Sequence, residues 1–121
     1  MSQREKMNTQ VPENVLDLQL ALARVGGDEQ LLREIAVLFI DECPRAFAEI
    51  QEAVAAGDAA KLENAAHALK GSVSNFGARD AVETAFRLEQ MGRANQMTEA
   101  GTVLSTLENA LSAVCAELAT L

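Results

Sequence analysis

The sequence predicts an all-α protein, an up-down antiparallel four-helix bundle with a short extra N-terminal helix. Three observations carry that prediction. The composition is rich in Ala, Leu and Glu, with only 7 Gly and 2 Pro among 121 residues, and this favours helix nearly everywhere. Large apolar residues recur at spacings of three and four along four successive segments, about 28–56, 58–76, 78–92 and 98–119. The loops between those segments are short, and short connections make sequential helices antiparallel.

Residues 1–12 are polar and aperiodic and read as a flexible N-terminal lead-in to one helical domain over 13–121. Asn14 is placed to cap a short first helix carrying Val15, Leu16, Leu18, Leu20, Leu22 and Val25. The alternation in that run also suits a strand, and the helix formers Gln19, Ala21, Ala23 and Arg24 decide for helix. Gly26-Gly27 ends it, and Asp28 caps the next helix. There Leu31, Leu32, Ile35, Leu38 and Phe39 recur in register, and Ala46, Phe47, Ile50 and Val54 resume the pattern beyond Pro44. Proline removes a backbone donor and crowds the preceding turn, so 28–56 is either one kinked helix or two helices meeting near Cys43; the kinked helix is the expectation.

Gly57-Asp58 is a stop followed by a cap, and Gly77 closes the helix that begins there. Its apolar residues Leu62, Ala65, Ala66, Leu69, Val73 and Phe76 fall within a stripe roughly 100° wide. The next helix carries Ala81, Val82, Ala85, Phe86, Leu88 and Met91 as far as Gly92. After a polar turn from Arg93 to Met97, Thr98 caps the last helix, whose seam is Val103, Leu104, Leu107, Leu111, Val114 and Leu118.

Eighteen acidic and ten basic residues give a formal charge of −8, which opposes binding to nucleic acid or anionic lipid. No apolar run is long enough to span a membrane and the N-terminus lacks a signal-peptide core, so a cytoplasmic protein is expected. Cys43 and Cys115 stand far apart without a CxxC pair or a neighbouring histidine, and read as reduced packing residues. The mapped apolar stripes are all used by the bundle, and a monomer follows.

His67 is the only histidine, and it lies roughly 150° from the centre of the apolar stripe of its helix. Ala60, Glu63, Asn64, Gly71 and Ser74 share its face. The imidazole therefore points away from the core. A metal site is excluded by the want of further ligands, and no metal is expected. Ser72 and Ser74 sit on a helix with no nucleophile elbow, and there is no Walker A or kinase-type Gly-rich loop with which to bind ATP. What remains is a histidine used as a transferable nucleophile. That use requires one exposed nitrogen, a fixed tautomer, a nearby cation and open space for the donor protein. Lys70 supplies the cation at i+3 and Gly71 the space at i+4. Glycine within a helix costs about 0.5–1 kcal/mol relative to Ala, and either the approach of a partner or a packing contact accounts for it.

His67-Ala68-Leu69-Lys70-Gly71-Ser72, followed by Asn75-Phe76-Gly77-Ala78, resembles the signature of histidine-containing phosphotransfer (HPt) domains of multistep phosphorelays. Arg24-Val25-Gly26-Gly27-Asp28, Leu38-Phe39 with Pro44, Gly57-Asp58 and Leu88-Glu89-Gln90-Met91-Gly92-Arg93 are similar to further landmarks of that family in the same order. The resemblance covers about residues 15–119. Val73 and Phe76 depart from it where Ser and Leu are common, and both belong to the apolar stripe.

The resemblance implies a four-helix bundle in which His67 accepts a phosphoryl group from the aspartyl phosphate of one receiver domain and passes it to another. It implies that Lys70 steadies that group, that Gly71 admits the receiver, and that the assisting Mg²⁺ is the receiver's, so this chain needs no cofactor. Glu89 matches the position that hydrogen-bonds the other ring nitrogen, where many relatives carry Gln; it would accept from Nδ1–H and leave Nε2 as the nucleophile. Arg93 matches a position that is sometimes basic and would assist at the phosphate. With Ala60, Glu63, Asn64 and Ser74 it would form the partner-binding face. The partners implied are response-regulator receiver domains and a hybrid sensor histidine kinase, and the chain is a carrier without kinase activity of its own. The alternative is the phosphoacceptor domain of a chemotaxis-type histidine kinase, phosphorylated directly by an ATP-binding partner. An interaction-only bundle is a third reading.

Overall fold

Three aspartates set where the first three helices begin. Asp17, Asp28 and Asp58 each have an extended backbone, and their side chains accept a hydrogen bond from the amide three residues on, at Leu20, Leu31 and Lys61, each at 3.0 Å. The computed structural model describes residues 15–121, and every regular element among them is a helix. These are α1 (Leu18–Arg24), α2 (Glu29–Ala56), α3 (Ala59–Ser74), α4 (Arg79–Arg93) and α5 (Ala100–Leu118). The lead-in expected over 1–12 and the Asn14 cap lie outside the described residues. α1 starts later than the sequence suggests because the Asp17 amide donates to the Phe76 carbonyl at 3.0 Å, which holds the chain extended against the end of α3. Gly77 makes room for that contact: its φ is +62°, and a Cβ there would stand 2.5 Å from Asp17 Cβ.

α2 runs through Pro44 as one helix rather than two. It ends at Gly57, whose φ of +66° allows the Asp58 amide to return to the Ala53 carbonyl at 2.9 Å. Its buried face is Leu32, Ala36, Phe39, Cys43, Ile50 and Ala53. Leu38 and Val37 are instead exposed, at 63% and 57%. Spacing among the largest side chains pointed to Leu31 and Leu38, whereas the small residues Ala36 and Cys43 take the core positions. Burial, with Cys115 beside it, pushes the Cys43 thiol up to about 12, so it stays protonated among its apolar neighbours.

α2 packs on α3, α3 on α4, α4 on α5, and α5 returns to α2, while α1 lies on α2. Leu62, Ala66, Leu69 and Val73 of α3 are buried against this core, and Phe76 meets Phe39 edge-on with ring centroids 5.4 Å apart. Each such fully buried leucine stabilises the fold by about 1.5–3 kcal/mol. The α3–α4 contact is the most extensive, and Gly92 makes it close. Gly92 is buried in the last turn of α4, which ends one residue later at Arg93, and a Cβ there would lie 2.6 Å from the Ala59 carbonyl oxygen and 2.7 Å from the Glu63 nitrogen. α5 begins at Ala100 with Glu99 before it, so Thr98 lies in the preceding turn and caps nothing.

Candidate functional site

The face of α3 opposite its buried stripe carries His67, whose side chain is 67% exposed. Across the seam, α4 presents Glu89, and the close approach at Gly92 brings its carboxylate up to the imidazole. Glu89 has only 3% of its side chain exposed. Its Oε2 accepts from His67 Nδ1 at 3.1 Å and from Arg93 Nη2 at 3.0 Å. Its Oε1 meets Lys70 Nζ at 2.7 Å, an ion pair without the alignment of a hydrogen bond.

A buried carboxylate is tolerated when cations stand against it. The Lys70 ammonium holds the Glu89 carboxyl below the usual carboxylate range; burial opposes this, and His67 adds to it. An ionised carboxylate only accepts hydrogen bonds, so the proton between Glu89 and His67 belongs to Nδ1. Nε2 is then the ring nitrogen that carries a free lone pair. The arrangement can hold an exposed imidazole in one tautomer and offset a positive charge arising on its ring.

Of the residues singled out from the sequence, His67, Lys70, Glu89, Arg93 and Glu63 come together in one charged cluster. Lys70 spends its charge on Glu89 and lies over the Phe86 ring, Nζ 4.7 Å from the centroid. Phe86 is therefore a site neighbour, 40% exposed, and not the core residue that its place in the α4 pattern suggested. Arg93 Nε donates to Glu63 Oε2 at 2.9 Å while Nη2 reaches Glu89, so the guanidinium bridges two carboxylates on neighbouring helices. Glu63, ahead of Glu89, pushes its pKa further up.

Gly71 is exposed and a Cβ there would meet nothing within 4 Å, so no packing contact accounts for it. Ala60 and Asn64 are exposed on the same face, and Ser74 is half-buried with its hydroxyl donating to the Gly71 carbonyl at 2.7 Å. None of these three enters the charged cluster. The Glu63–Arg93 link and the Phe86 platform were missed by the sequence reading. The i, i+3 and i+7 spacing of Phe86, Glu89 and Arg93 on α4 is the signal that marks them as one face.

A groove of about 830 Å³ lies at the α4–α5 turn, lined by Arg87, Gln90, Met91 and residues 94–99, and it includes neither His67 nor Glu89. His67 itself stands on an exposed helix face. Among the described residues no group of three His, Cys, Asp or Glu side chains is placed to hold a metal ion, and no helix is long and apolar enough to cross a membrane.

Residues 34–117 match the Hpt domain family. The fold is similar to the crystal structure of histidine-containing phosphotransfer protein B from Pseudomonas aeruginosa PAO1, with a TM-score of 0.81. That match is 23% identical in sequence and covers 88% of this chain and 92% of the other. No curated protein matches the sequence.

Proposed function

The chain belongs to the Hpt domain family, whose role is histidine phosphotransfer in phosphorelays, and from that premise we propose that His67 is the phosphoacceptor. The phosphoryl group comes from the aspartyl phosphate of one receiver domain and leaves to the aspartate of another. The Nε2 lone pair forms the new P–N bond as the P–O bond to the donor aspartate breaks, its electrons returning to the carboxylate oxygen. Nδ1 keeps its proton and goes on donating it to Glu89, and the positive charge that arises on the ring is met by that carboxylate. The reverse sequence unloads the group.

The observation that carries this reading is the buried Glu89 side chain hydrogen-bonded, at 3.1 Å, to the Nδ1 of an exposed His67. Lys70 keeps Glu89 ionised and adds positive charge beside the transferring group, where charge stabilisation and positioning do most of the catalytic work. Gly71 leaves the space into which the receiver's loops fit, and Ala60, Glu63, Asn64, Ser74 and Arg93 surround it as the docking face. Mg²⁺ is supplied by the receiver, and ATP is used only by a separate hybrid sensor kinase. The four long helices form an up-down antiparallel bundle, and the protein works as a cytoplasmic monomer.

The test is to mix the purified protein with a phosphorylated receiver and follow acid-labile phosphate. Transfer to the wild type and none to His67→Gln is expected. A His67→Gln protein that labels like the wild type refutes the assignment. Labelling by a kinase and ATP with no receiver present would instead support the kinase-domain alternative.

A further inference from the structure

We infer that Glu63 is a positioning residue that parks Arg93 beside the imidazole until a phosphoryl group arrives. The inference rests on His67 being the phosphoacceptor, and it concerns which cation moves. Lys70 is poorly placed to move: its side chain is 25% exposed, its Nζ stands 2.7 Å from a buried carboxylate oxygen, and Phe86 flanks it. Leaving would strand the Glu89 charge. Arg93 is 61% exposed, and two of its donor nitrogens are spent on carboxylates, Nε on Glu63 and Nη2 on Glu89. The Glu89 contact lies on the Nδ1 side of the imidazole, since Oε2 of Glu89 is shared by Arg93 Nη2 and His67 Nδ1, and the Glu63 contact holds Nε of the same guanidinium.

A phosphoryl group forms on the other nitrogen, Nε2. Nη1 hydrogen-bonds neither carboxylate, but Nε and Nη2 together fix the guanidinium plane. Turning its fork toward that group therefore opens one of the two contacts, and the Glu63 contact is the more exposed, with 33% of the Glu63 side chain accessible against 3% for Glu89. An ion pair this exposed is weak and exchanges easily. Phosphoryl oxygens match the planar fork of a guanidinium better than one carboxylate oxygen bound through Nε alone. Glu63 thus restrains Arg93 in the unloaded protein and yields it to the phosphoryl group. It acts through Arg93 and touches no reacting atom.

Phosphoramidate, a small phosphodonor, tests this on the full chain without a receiver. Its P–N bond breaks with ammonia leaving as the Nε2–P bond forms, and ³¹P NMR follows the rate. Glu63→Gln is expected to accelerate loading of His67 by about two- to fivefold, the range that an exposed ion pair commands. Arg93→Gln is expected to slow loading, and Glu63→Gln added to Arg93→Gln to change nothing further, which a merely structural role would not produce. Thermal melts establish that all variants are folded. If Glu63→Gln matches the wild type, loads more slowly, or keeps its full acceleration without Arg93, the inference is overturned while His67 stands as acceptor. If His67→Gln labels as fast as the wild type, the acceptor assignment itself fails.

Discussion

A carboxylate with 3% of its side chain exposed keeps its charge only when cations stand against it, and Glu89 has Lys70 and Arg93 there. The direction of its pKa makes a stability prediction. Because the folded carboxyl titrates below its ordinary value of 4.5, its contribution is full above that value and is lost as the pH falls through the lower folded one. Glu89→Gln is therefore expected to lower stability by about 1–3 kcal/mol at neutral pH. In urea melts, the gap between variant and wild type should shrink as the solution is made more acidic than ordinary carboxylates require. A gap that did not change with pH would show that pairing with Lys70 adds nothing. His67 was legible in the sequence because it is unique and its angle on the helix follows from arithmetic. Glu89 was reachable only through family resemblance, since no spacing within one helix reports what the neighbouring helix brings alongside.

Two glycines on facing helices make opposite predictions. Gly71 of α3 has open space where its Cβ would stand, so Gly71→Ala is expected to raise the stability of the isolated protein by about 0.5–1 kcal/mol while slowing transfer from a receiver. Gly92 of α4 faces the Ala59 carbonyl and the Glu63 amide, both backbone, so Gly92→Ala must push α4 off α3. A loss of about 1–3 kcal/mol is expected, with slower loading of His67, because Glu89 and Arg93 ride on α4. Thermal melts and transfer rates of the two variants check both statements, and a stabilising Gly92→Ala would contradict the close packing described. Helix starts at Asp28 and Asp58 were legible because a cap is local chemistry. The end of α4 at Gly92 was legible to within one residue, but the role of Gly92 in the approach of α3 was not, because a glycine needed for approach between helices looks the same in sequence as one beside a helix end. Leu38 was misplaced for a related reason: a 3–4 pattern is satisfied by two overlapping registers on a long helix, and only the partners decide which is covered.

For the whole molecule, the contacts run in a ring from α2 through α3, α4 and α5 back to α2, and the formal net charge is −8. Sedimentation at neutral pH is expected to give one species of 12.9 kDa. The exposed Val37 and Leu38 are the places to substitute first if a heavier species appears. The all-helical class was the most legible feature of all, since composition, periodicity and short loops agree on it, and agreement across levels is what specifies a fold. The bond from Asp17 to Phe76, together with the close fit at Gly77, fixes where the described chain joins the body. That point lies nine residues beyond His67, about 14 Å along the helix axis. A receiver fused ahead of residue 15 would therefore be tethered close to its target, and a short flexible linker would hold it at a millimolar-range effective concentration. The N-terminal clasp thus offers a ready anchor for converting a transient encounter into an intramolecular one.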